Sequence, residues 1–167
     1  MRSELNIGAA LRQLFDSGEA ARDELLVCTK AGFLTPGAIP AGALQPGDVV
    51  ANMHCIAPDF LAHQIDRSLA NLGLETIDVF YLHNPETQIR ATTPEQFDDR
   101  LRHAFVRLES LRAQNKIRWY GAATWGGFRQ KPGQPERLHL PRLLELAREA
   151  GGENHHFRFL QLPVNLM

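Results

Sequence analysis

Ile77-Asp78-Val79-Phe80-Tyr81-Leu82-His83 is a nearly continuous apolar run that ends in a histidine. It is too short for a buried helix and shows no polar alternation, so it reads as a strand covered on both faces. Upstream, Pro58 opens a segment in which Leu61, Ile65, Leu69 and Leu72 recur every three or four positions and Gly73 supplies the stop, the pattern of an amphipathic helix. Downstream, Thr93-Pro94-Glu95-Gln96 is a capping box with proline at the first helical position. Phe97, Leu101, Phe105, Leu108 and Leu111 then share one face up to Asn115, a residue suited to a left-handed exit. A two-sided strand between two such helices predicts a parallel sheet built by crossovers.

The same alternation extends in both directions. Leu25-Leu26-Val27-Cys28-Thr29-Lys30 is a second short apolar run, predicted to be a strand buried on both faces and terminating in a lysine. Before it, residues 3–15 read as a helix with Ser3 as N-cap, Ile7, Ala10, Leu11, Leu14 and Phe15 on one face, and Ser17-Gly18 as its end. Ile117 to Ala123 predicts a third strand, Pro141 to Ala150 a helix stopped by Gly151-Gly152, and Phe157 to Leu162 a fourth strand. Between Ala31 and Met53 the chain carries Gly32, Pro36, Gly37, Pro40, Gly42, Pro46 and Gly47, the composition of a long loop that is either a lid or a linker. Helix then strand, repeated through the chain, implies right-handed crossovers and an α/β sheet, open or closed. A complete eightfold barrel takes about 250 residues, so the 167 residues here hold at most part of one, as a single domain.

Composition narrows the function. With 44% hydrophobic residues the chain can bury a core, and 18 Lys+Arg against 19 Asp+Glu leave no excess field for a nucleic acid or an anionic membrane. No apolar run reaches the roughly 20 residues that cross a bilayer, and Glu4 interrupts any secretory leader. A soluble cytoplasmic protein is the expectation. Two cysteines, Cys28 and Cys55, are too few for a disulfide framework.

In parallel sheets ligands gather at the carboxyl ends of the strands. Those ends read Lys30, His83-Asn84, Thr124-Trp125 and Gln161. Each has an ordinary reading: a lysine ending a strand is commonly ion-paired or solvated, and a histidine there can simply bond a loop carbonyl. Their collection on one rim is what argues for a site. The Trp and Phe residues read as core except Trp125, which follows directly on a strand end and is placed to wall a small-molecule pocket. Glu75 and Asp78 flank a strand start at the opposite end and read as solvated or helix-packing groups. There is no glycine-rich phosphate loop and no nucleophile elbow, and His54-Cys55 and His155-His156 lack zinc spacing, so no metal is expected.

Five stretches carry a resemblance to a known family: SELNIGAALRQLF, RDELLVCTKAGF, IDRSLANLGLETIDVFYLHNPE, LRAQNKIRWYGAATWGGFR and FRFLQLPVNL. Together they resemble the aldo/keto reductases over nearly the whole chain. The resemblance implies a partial (β/α)8 barrel of about four parallel strands, and hydride transfer between NADPH, or NADH, and an aldehyde or ketone. It makes Lys30 the catalytic lysine that lowers the pKa of a tyrosine acid, and His83 the histidine that orients and polarises the substrate carbonyl. It gives Gln161 to the nicotinamide carboxamide. The family's serine-asparagine pair is replaced by Ala123-Thr124, so only the Thr124 hydroxyl remains there for the cofactor, while Trp125 and Asn84 fall on the substrate side. In the family a catalytic aspartate and tyrosine precede the segment resembling Ser3-Glu4. Neither has a counterpart here, and Tyr81 and Tyr120 lie inside strands. The chain alone is therefore expected to be an inactive part of a reductase that self-associates through its sheet edges. The alternative is a non-catalytic nucleotide-binding or regulatory half-barrel.

Overall fold

In the computed structural model, which describes residues 2–35, 44–45, 47–131, 133–134 and 137–164, four helices alternate with four strands. They are α1 (Arg2–Ser17), β1 (Cys28–Ala31), α2 (Pro58–Leu72), β2 (Ile77–His83), α3 (Pro94–Ala113), β3 (Ile117–Ala123), α4 (Leu140–Gly151) and β4 (Phe157–Gln161), with short 3-10 turns at Arg22–Glu24 and Pro85–Ala91. The strands form one parallel sheet in the order β1-β2-β3-β4. This is the α/β pattern expected, and the sheet is open, as in part of a barrel.

The helix limits follow from local chemistry. Pro58 and Pro94 occupy first-turn positions, and the Thr93 side chain accepts from the Gln96 N–H while Gln96 reaches back to the Thr93 N–H. Gly73 ends α2 at φ +67° with its N–H on the Leu69 carbonyl, and Asn115 takes φ +60° after α3. The lid-or-linker expectation for residues 31–53 falls in part on 36–43 and 46, outside the described residues.

The helices cover one side of the sheet. Phe80 and Leu82 of β2, Tyr120 and Ala122 of β3 and Phe157 of β4 face them, with Phe60, Ile65, Leu101, Phe105 and Leu108 on the other side of the contact. The opposite, concave face is carried by Cys28, Lys30, Val79, Tyr81, His83, Trp119, Ala123, Phe159 and Gln161. Here three expectations are corrected. β1 is not buried on both faces, since Cys28 and Lys30 are exposed. Trp119 and Phe159 are 39% and 38% exposed rather than core. The reason is the same for all: among the described residues no second layer covers this face.

Two further readings change. Asp78 is not solvated: it is 1% exposed, accepts from the Val27 N–H at 2.8 Å and pairs with Arg22 at 2.7 Å and Arg118 at 3.1 Å. It closes the end of the sheet opposite the candidate site. In α1, Ser3 lies inside the helix, so the cap does not hold, and the expected face holds only at its far end: Leu11 is buried and Phe15 packs on the core, whereas Ile7 is 48% exposed and Ala10 is exposed too. The buried face is Glu4, Gly8 and Leu11. Glu4 accepts from Thr29 of β1 at 2.8 Å and from Ser68 and Asn71 of α2 at 2.7 and 2.9 Å. A Cβ on Gly8 would stand 2.3 Å from the Asn71 carbonyl oxygen, so the α1–α2 crossing is a backbone contact that only glycine permits.

Candidate active site at the strand exits

The strand register sets the level of each side chain. His83 pairs with Ala123 and Ala123 with Gln161, so these three stand side by side on the concave face, while Lys30, paired with Tyr81, starts one pleat lower and reaches up with its long stem. Asn84 N–H donates to the Ala123 carbonyl at 2.7 Å and Thr124 N–H to the Gln161 carbonyl at 2.9 Å. The ladder thus continues one step beyond the strands and fixes the residues that follow. Because Ala123 carries only a methyl group, a space stays open between the imidazole and the carboxamide.

That space is a cavity of about 250 Å³ lined by Lys30, His83, Asn84, Ala123, Thr124, Trp125, Gln161, Leu162 and Pro163. All six residues expected at the rim border it. Lys30 Nζ donates to Gln161 Oε1 at 3.4 Å, a long contact between the two outer strands. A flat sheet would separate those strands by about 14 Å, so the cupping of the sheet brings the two side chains together. Trp125 stands 70% exposed at the lip.

The polar groups differ in how far they are committed. The Thr124 hydroxyl donates to Glu86 Oε1 and accepts from the Gly127 N–H at 2.8 Å, so it braces the turn 124–127 and keeps one lone pair. Asn84 takes the left-handed conformation at φ +48°, and its Oδ1 is buried with no hydrogen-bond partner. A buried acceptor in that condition costs about 1–3 kcal/mol unless something donates to it. The His83 ring has its pKa pushed down to about 4 by burial, by the Lys30 ammonium and by His54. At neutral pH it is therefore a neutral imidazole beside a cation, a donor that can serve a carbonyl oxygen without itself carrying charge.

Neither tyrosine lines the cavity. Tyr120 is fully buried on the helix side, where its hydroxyl donates to Glu109 at 2.9 Å, and burial together with that carboxylate pushes its pKa up. Tyr81 lies on the concave face, its pKa raised by burial and by Cys28. Among the described residues no three His, Cys, Asp or Glu side chains group to hold a metal ion.

A family model, described as the aldo/keto reductase family, matches residues 1–129. The chain belongs to that family. It is 33% identical over 103 residues to L-glyceraldehyde 3-phosphate reductase of Escherichia coli K12, covering 61% of this chain and 24% of that protein. It is 32% identical over 130 residues to D-threo-aldose 1-dehydrogenase of a Pseudomonas species, covering 71% of this chain and 35% of that one. The chain therefore spans between a quarter and about a third of the curated relatives it matches. Among solved structures, the holo form of an aldo-keto reductase of Bacillus halodurans superposes with a TM-score of 0.46 at 21% identity, over 72% of this chain and 31% of that one. The family is one of oxidoreductases that generally use nicotinamide cofactors. Among the described residues no helix is long and apolar enough to cross a membrane.

The sequence reading missed what lies behind the rim. His54 is fully buried and bonds the His83 backbone, Gln88 bonds His54, and Glu86 receives Thr124. Nothing in their spacing marks them, because they come from a glycine- and proline-rich loop and a 3-10 turn that carry no hydrophobic period.

Proposed function

We propose that this chain supplies the carbonyl- and nicotinamide-facing half of an NADPH-dependent reductase of aldehydes or ketones, with NADH as the possible alternative donor. One observation carries the reading: a neutral imidazole, an ammonium and two carboxamides border one small cavity at the strand exits. The fit to a nicotinamide amide rests on the partnerless buried Asn84 Oδ1, which needs a donor, and on Gln161, which offers both donor and acceptor. A bound dihydronicotinamide would supply the hydride. His83 would donate its N–H to the substrate oxygen, and the Lys30 charge would stabilise the negative charge that develops there. Trp125 would wall the substrate side and exclude water. Small polyhydroxy aldehydes are the proposed substrate class, since the two relatives are named for glyceraldehyde phosphate and aldoses.

No tyrosine lines the cavity, so we propose that the 167-residue chain binds the nucleotide without appreciable turnover and is part of a larger enzyme that works in the cytoplasm. The same observation favours the second reading, a nucleotide-binding half-barrel with no catalysis. β1 and β4 flank the sheet, and their outer backbone groups are proposed to drive self-association of the chain alone. Titration with NADPH and NADH, followed by nicotinamide fluorescence, tests the core of this proposal. Binding that weakens at least tenfold in Asn84→Ala and Gln161→Ala supports it. No binding, or binding indifferent to both changes, refutes it. Steady NADPH oxidation with glyceraldehyde would overturn the claim of inactivity, and a monomer in sedimentation would overturn the claim of self-association.

A further inference from the structure

We infer that His54 is a positioning residue that sets the orientation of His83 from behind the site. The inference rests on the reading of the cavity as a reductase site, and its geometry is independent of any ligand. The last ladder pair of β1 and β2 is Ala31 with Leu82, which leaves the His83 carbonyl beyond the end of β1 without a strand partner. The His54 ring takes that place: Nε2 lies 2.7 Å from the His83 carbonyl oxygen. A carbonyl only accepts, so Nε2 carries the proton.

The rest of the chain of bonds enforces the same tautomer from the other side. Arg100 can only donate, and its Nη1 does so to Gln88 Oε1. That turns the Gln88 amide so that its Nε2 faces His54 Nδ1 at 2.7 Å, making Nδ1 the acceptor. Polarity therefore runs one way, from Arg100 through Gln88 and His54 to the His83 carbonyl, with both ends fixed by groups that cannot reverse. The other Arg100 nitrogen, Nη2, donates to the Gly47 carbonyl at 2.8 Å, tying the loop into the array.

Two neighbours complete the clamp. Phe33 meets the His54 and His83 rings edge-on, each at 5.0 Å and 80°, so it spaces the two imidazoles. Gly32 runs so close to this bond that an added Cβ would stand 2.5 Å from the His83 oxygen and 2.8 Å from His54 Nε2. Glycine at 32 is thus required by the hydrogen bond beside it, immediately after the strand that delivers Lys30. The charged and titratable groups acting on His83 are Lys30 from β1 and His54 from this loop.

The test is histidine-labelled nitrogen NMR on the 167-residue chain. In the unaltered protein His54 should show a single, pH-independent Nε2–H tautomer with a slowly exchanging proton. His54→Gln, whose amide nitrogen can reach the same carbonyl, should raise the His83 titration midpoint only by the loss of the His54 charge. His54→Phe, which fills the space without a donor, should move that midpoint at least half a pH unit above the His54→Gln value. Should His54→Phe not fold, Gln88→Leu and Gly32→Ala carry the same test, each expected to remove the slowly exchanging Nε2 proton. An Nδ1–H tautomer in the unaltered protein, or one His83 midpoint common to every variant, overturns the inference. NADPH titration of the unaltered chain separates the two claims: absent binding defeats the functional reading, while the histidine spectra still decide the positioning.

Discussion

If His83 is held as a neutral imidazole in the native state, acid should weaken this protein through that one side chain. Its pKa falls from the ordinary 6.5 to about 4, with burial the largest cause and Lys30 the next. Above pH 6.5 the ring is neutral in both folded and unfolded chains and contributes nothing to the pH dependence. Between pH 6.5 and 4 the unfolded chain takes up a proton that the native state refuses, so stability declines as pH falls. Each pH unit of that interval corresponds to at most about 1.4 kcal/mol, which sets a ceiling of about 3 kcal/mol. The ring is only half buried, and solvent screening should reduce this to about 1.5 kcal/mol. His83→Gln removes the titrating group, while His54 and His155, both held below their ordinary pKa by burial, remain in both proteins and cancel. Urea unfolding of the two proteins at pH 7.5, 6 and 4.5 is the assay. The stability difference between them should shift by about 1.5 kcal/mol in favour of His83→Gln on going from pH 7.5 to 4.5. Parallel curves would mean that His83 protonates in the native state as freely as in the unfolded chain, and the case for a neutral donor beside Lys30 would fall with it.

Other changes probe the supports of the site. Lys30→Met removes one cause of the depressed His83 pKa, so the His83 midpoint should rise above about 4 by NMR. In an enzyme that joins this segment to a proton donor, the same change should lower kcat by about 100-fold with far-UV circular dichroism unchanged. Gly121→Ala would set a Cβ 1.9 Å from the Phe159 carbonyl oxygen on the adjacent strand; a loss of about 3 kcal/mol is expected in urea unfolding, with the β3–β4 amides losing exchange protection first. Glu4→Gln keeps one acceptor oxygen and turns an amide NH2 either toward the Asn71 amide or toward the Thr29 and Ser68 hydroxyls, costing about 2 kcal/mol at neutral pH. Although burial pushes the Glu4 carboxyl up, its bonds from Asn71, Ser68 and Thr29 hold it below the ordinary value. Its contribution should therefore persist at pH 6 and vanish as pH falls through that lowered pKa, where wild type and Glu4→Gln should converge.

The strand exits were legible because each strand ends in a change of residue character that survives without tertiary context. An apolar run stops at Lys30, His83, Thr124 or Gln161, and parallel crossovers send every such stop to the same side of the sheet. What misled the reading was periodicity applied to faces it cannot distinguish. The Leu25–Lys30 run is apolar, yet Leu26 is 80% exposed: composition records that a surface is fit for burial, not which layer buries it. In α1 the buried stripe is carried by a carboxylate and a glycine, Glu4 and Gly8, because that helix crosses α2 at backbone distance and satisfies its charge with Thr29, Ser68 and Asn71. A hydrophobic count along the helix selects Ile7 and Ala10 instead.

The array behind His83 was hidden for a different reason, and that reason bears on how the site works. Hydrophobic pattern locates elements whose position is fixed by burying apolar area, whereas His54, Gln88 and Arg100 are fixed by the direction of hydrogen bonds. Such a chain has no preferred spacing, since its members need only meet in space, and each alone has an ordinary surface reading. Their effect is also of another kind. Burial holds β2 in the sheet with a tolerance set by packing, but a fully buried imidazole between an obligate acceptor and an amide of fixed polarity leaves the His83 carbonyl little freedom of orientation. Hydride transfer chemistry depends on where the donor to the carbonyl oxygen stands, and small displacements of such a donor are costly in rate. On this account the strand delivers His83 to the rim and the hydrogen-bond array aims it. His54→Phe is the change that divides the two tasks, because it removes the donor to the His83 carbonyl without altering any residue of β2.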